Sequence, residues 1–124
     1  MTTPNQTFRG KVDQTTVGDA FNKSFVGVTT PGVLQTVINE TVAAGKVVNL
    51  LQIFISCALE GKITILVDST TIATGRTGPA ESNFYFSWLP FEPVSAAGVI
   101  KVQYLGASYR PATDLEVFLQ ARET

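Results

Sequence analysis

The 124-residue chain contains no histidine, one cysteine and one tryptophan, and only 15% of its residues are charged. Without histidine, neither a Ser-His-Asp nor a Cys-His nucleophile can be assembled, and one cysteine without histidine excludes the usual zinc sites. Cys57 has no partner for an internal disulfide and falls in the apolar phase of its segment, so it reads as a small buried hydrophobe made in a reducing cytoplasm. No apolar run approaches the roughly 20 residues of a membrane helix, and residues 1–7 lack the basic and apolar regions of a secretory signal, so neither membrane nor export is expected. Nine Lys and Arg residues against ten Asp and Glu give a net charge of −1, with the cations scattered, so there is no footprint for nucleic acid. Gly10-Lys11, Gly45-Lys46 and Gly61-Lys62 lack the spacing of a phosphate loop. Asp114 and Glu116 share one face of a strand and read as a solvated pair, and Asp68 reads as a turn residue rather than a calcium ligand. The sequence therefore predicts no enzyme, no cofactor and no metal.

What the chain does have is alternation. Leu51, Ile53, Ile55, Cys57 and Leu59 share one phase of a period-two repeat, with Gln52, Phe54 and Ser56 on the other. Glu60-Gly61 reads as a tight turn, after which Ile63, Ile65 and Val67 resume the repeat, so a long antiparallel hairpin is predicted at the centre of the fold. A strand is expected over 33–42, a short returning strand at Ile72–Thr74 and a loop over 75–82. An aromatic strand follows over 83–88, then a Pro-containing extended connection over 89–94. Further strands are expected over 99–105 and 114–121. That makes about seven to nine strands with turns at intervals of roughly 8 to 12 residues and no amphipathic helix, the pattern of an all-β, jelly-roll-like antiparallel sandwich. A closed barrel is the alternative architecture.

Residues 1–31 differ in character, with weak periodicity and Gly10, Gly18, Gly27 and Pro31 interrupting any long element. They read either as an extended arm docking on a neighbouring subunit or as a first pair of edge strands, at 11–17 and 24–28, of a sandwich domain spanning 32–124.

The phrases Ala43-Ala44-Gly45-Lys46, Gly61-Lys62-Ile63-Thr64-Ile65, Val67-Asp68-Ser69, Ile72-Ala73-Thr74-Gly75-Arg76-Thr77 and Ala97-Gly98-Val99-Ile100-Lys101-Val102 together resemble small β-sandwich virion proteins of tailed bacteriophages, such as capsid decoration (cement) proteins and head or fibre appendages. The resemblance spans about half the chain and rests on sandwich-building residues. It implies a structural protein of the virion surface, a homo-oligomer expected as a homotrimer, bound to the major capsid protein or another virion component. On that reading Phe8, Phe21 and Phe25 are the interface anchors and Arg9 and Lys11 their polar partners. An alternative function is a carbohydrate- or receptor-binding module of a fibre or appendage, with Tyr85, Trp88, Phe91 and Tyr109 as an exposed aromatic surface.

Overall fold

The structure, a computed structural model, describes residues 18–124. Among these residues it holds nine strands and no helix: β1 (Asp19–Ala20), β2 (Lys23–Val28), β3 (Leu34–Thr41), β4 (Val48–Ser56), β5 (Gly61–Val67), β6 (Thr70–Thr77), β7 (Asn83–Val94), β8 (Val99–Gly106) and β9 (Asp114–Glu123). The expected strand at 11–17 and the anchors Phe8, Arg9 and Lys11 lie outside the described residues.

Two antiparallel sheets face each other. Sheet I runs β2-β9-β4-β7, with β1 extending the β2 edge along β9, and sheet II runs β3-β8-β5-β6. Almost every connection changes sheet; β5 to β6 is the one hairpin between successive strands. This is the strand order of a jelly roll, in which two Greek keys are wound into a double sheet.

The predicted central hairpin is corrected by this topology. β4 pairs with β7 and β9, whereas β5 pairs with β6 and β8, so the two most apolar strands lie in opposite sheets. Residues 57–60 cross the roughly 10 Å between layers instead of closing a turn. Alternation with one fully apolar phase is satisfied equally by two strands that pair and by two that face each other across a core. Ile53 and Ile55 of β4 and Ile63 and Ile65 of β5 are fully buried in that common core, beside Ile100, Val102 and Tyr104 of β8 and Leu115, Val117 and Leu119 of β9.

The true hairpin turns at Asp68-Ser69, both with positive φ (51° and 70°), the backbone of a two-residue type I′ turn that matches the twist of the flanking strands. β6 runs on to Thr77, which shortens the predicted loop to 78–82. Residues 83–94 form one strand instead of a strand and a connection. Pro90 and Pro93 are compatible with it because β7 is the edge of sheet I and one side of its backbone has no strand to donate to.

Hydrogen bonds tie the connections into two ends. At one end, the Thr29 N–H donates to the Thr113 carbonyl (2.8 Å), Ala107 N–H to the Glu60 carbonyl (3.0 Å) and Cys57 N–H to the Ser82 carbonyl (2.8 Å). At the other, the Val42 N–H donates to Gly98 O (2.9 Å), and Thr124 and Val47 exchange backbone bonds of 2.9 and 3.1 Å.

Candidate functional site

Two surfaces stand out, one on the outer face of each sheet. On sheet I the inward phase is so thoroughly apolar that the outward phase ought to be polar, yet Phe54 and Phe118 occupy it. In register, Ser24 of β2 faces Phe118 of β9, Phe118 faces Phe54 of β4, and Phe54 faces Tyr85 of β7. The result is an aromatic row across three strands. The Phe54 and Phe118 rings lie 6.5 Å apart at 30°, Phe118 is 43% exposed and Tyr85 is 58% exposed. Cross-strand aromatic pairs of this kind stabilise a sheet by roughly 0.2–1 kcal/mol, but a core already closed beneath them does not require them.

The next row is amide. The Tyr85 hydroxyl donates to Gln52 Oε1, and Gln52 Nε2 donates to Gln120 Oε1, so Tyr85 is held by a polar chain running across β4 to β9. A recess of about 340 Å³ opens beside it, lined in part by Asn22, Ser24, Gln52, Phe54 and Phe118. Val26 and Val28 of β2 extend the apolar surface, at 69% and 56% exposed.

At the loop end, sheet II carries a groove of about 620 Å³, with Glu60, Lys62, Arg76, Leu105, Ser108 and Tyr109 among its lining residues. One lining residue, Thr77, belongs to a buried polar node. The Tyr104 and Thr77 hydroxyls lie 2.7 Å apart, and the Thr77 hydroxyl donates to the Leu59 carbonyl at 3.0 Å. Burial, chiefly, and the Cys57 hydrogen bond push the Tyr104 phenol well above its ordinary value, although the Thr77 contact works the other way. At the rim, Arg110 grips Glu60 with Nε at 2.7 Å from Oε1 and a second nitrogen at 2.9 Å from Oε2. The Arg110 hydrogen bond is the main cause holding the Glu60 carboxyl below the usual carboxylate range, and the same contact raises the Arg110 guanidinium.

The residues singled out from sequence are dispersed. Phe21 and Phe25, expected as anchors for a neighbouring subunit, are half-buried against the chain's own core. Trp88 is not an exposed stacking surface: it is 6% exposed and meets Phe86 edge-on at 5.0 Å, because both occupy the inward phase of β7. Phe91 is half-buried. Tyr85 and Tyr109 are exposed, but Tyr85 belongs to the outer face of sheet I and Tyr109 to the groove on sheet II, so the four aromatics do not form one surface. Phe54 and Phe118 are legible in the sequence only as aromatics on an otherwise polar phase, and Lys62 and Arg76 only as members of strand phrases, with nothing to pair them.

Among the described residues no three or more of His, Cys, Asp and Glu cluster as a metal site, and no helix is long and apolar enough to cross a membrane. No protein-family model matches the chain, and no curated protein matches its sequence.

Proposed function

We propose that this protein is a non-enzymatic structural building block that associates with copies of itself, a virion decoration protein seated on a capsid shell being the setting in which such a block works. The observation that carries the reading is the outward row Phe118–Phe54–Tyr85 on a sheet whose opposite face already completes the core. Contiguous exposed apolar surface of this kind marks interaction sites on soluble domains. The centre of the face holds aromatics, hydroxyls and amides, with Asp114 and Glu116 toward one end of β9 and Lys23 at the recess as the charges beside it. Jelly rolls serve capsids and lectins alike, so the fold supports the reading without choosing it.

The test is the native mass of the pure protein by analytical ultracentrifugation over micromolar concentrations. An oligomer is expected, the trimer being the form that the virion resemblance implies, and Phe54→Ser with Phe118→Ser is expected to yield a monomer with an unchanged far-ultraviolet circular dichroism spectrum. A wild-type chain that remains monomeric overturns self-association. An antibody raised against the pure protein is expected to label intact virion heads; absence of the chain from virions overturns the decoration role.

A further inference from the structure

The groove on sheet II contains an arrangement that self-association through sheet I does not use. Lys62 of β5 and Arg76 of β6 are direct cross-strand partners, and both are exposed. Like charges placed opposite one another destabilise a sheet, so their pairing works against the fold. Glu60, the acid that lines the groove with them, is already engaged by two guanidinium nitrogens of Arg110, and among the described residues neither Lys62 nor Arg76 forms a salt bridge. Among the described residues the two cations therefore line the same cleft with no acid bound to either.

The cleft adds a stacking surface. Tyr109 is 73% exposed at its rim, and the Arg110 guanidinium sits 5.2 Å from its ring centroid, which steadies the ring while leaving most of it to solvent. Leu105, across from Lys62 in register, supplies an apolar patch, and Ser108 a hydroxyl. Two cations, one open aromatic ring and a volume of about 620 Å³ suit a small ligand that is anionic, flat on one side and rich in hydroxyls. Nucleic acid fits less well, because binding it needs a longer track of cations than one pair in a chain of net charge −1. We infer that the groove formed by Lys62, Arg76 and Tyr109 binds an acidic saccharide, its carboxylate or sulfate between the two cations and a sugar ring against Tyr109.

The inference is tested on the full chain, labelled with nitrogen-15, by titrating tetragalacturonate, its fully methyl-esterified counterpart and a heparin-derived disaccharide while following amide shifts. Tetragalacturonate or the sulfated disaccharide is expected to perturb Lys62, Arg76 and Tyr109, and the ester to bind at least about ten-fold more weakly, since it keeps the rings and loses the charges. Lys62→Gln and Arg76→Gln are each expected to weaken binding about ten-fold or more while raising the melting temperature slightly, because they relieve the cross-strand repulsion. Tyr109→Ala is expected to weaken binding by a comparable factor. Acid and ester binding equally, no saccharide binding, or a poly-glutamate peptide binding as well as the sugar with Tyr109→Ala without effect, each overturns the assignment. Failure here leaves self-association intact, because its test reads Phe54 and Phe118 on the other sheet.

Discussion

Gly61 illustrates how much a single missing side chain decides. In sequence it looks like a turn glycine after Glu60, but it is the first residue of β5, and a Cβ built on it would collide with the Tyr104 ring and hydroxyl. The glycine makes room for a buried phenol whose hydroxyl reaches Thr77. Gly61→Ala is expected to destabilise the protein by about 1–3 kcal/mol, as overpacking does, in chemical denaturation followed by Trp88 fluorescence. Tyr104→Leu in the same chain is expected to recover part of that loss, since the two residues share one space. That clash was not legible in the sequence, because Tyr104 lies more than 40 residues away on β8 and nothing local to Gly61 signals it. A second residue-scale prediction concerns acid. Because Arg110 lowers the folded Glu60 value, the pair stabilises the fold fully above the unfolded carboxylate value of about 4.3, and this contribution is lost as pH falls through the lower folded value. Glu60→Gln is expected to lose that contribution at neutral pH and to show a shallower decline of melting temperature with acid.

Among elements, the β5–β6 hairpin was legible only in part: a short returning strand was expected at Ile72–Thr74, whereas β6 spans Thr70–Thr77. Asp68, a turn residue in the sequence reading, forms the hairpin turn with Ser69; its carboxylate also accepts the Val99 N–H at 2.9 Å, which ties the turn to β8. Serine at a φ of 70° sits where glycine is easier, so Ser69→Gly is expected to stabilise the protein by about 0.5–1 kcal/mol in thermal melts, with Asp68 kept for its bond. The existence and approximate place of most strands were legible because alternation is local. Their partners were not. Ile53 of β4 pairs with Leu119 of β9, and no signal in either segment records the other. The same limit explains Trp88 and Phe91: an aromatic strand with large residues in both phases does not say which phase is core until the opposing sheet is known.

For the whole molecule, composition and alternation pointed to a jelly-roll-like antiparallel sandwich with a closed barrel as the alternative, and the structure supplies the two sheets and their strand order. The sheet I face was half legible, since Phe54 and Phe118 stand among polar residues in their phase, whereas the groove depends on loops and strands brought together from four parts of the chain. The chemistry of the two surfaces separates them in a measurable way. Association centred on the aromatic row is expected to change less between roughly 0.05 and 0.5 M salt in sedimentation runs than saccharide binding to an exposed cation pair, which weakens over the same range as charges are screened.

The pairing of Asp19 with Glu123 brings the first and last described strands side by side at the pole away from Tyr109. A tether fixed at Thr124 would therefore hold the molecule by its base, with the four sheet-crossing loops of the other pole, and the cations beneath them, turned toward whatever approaches from outside.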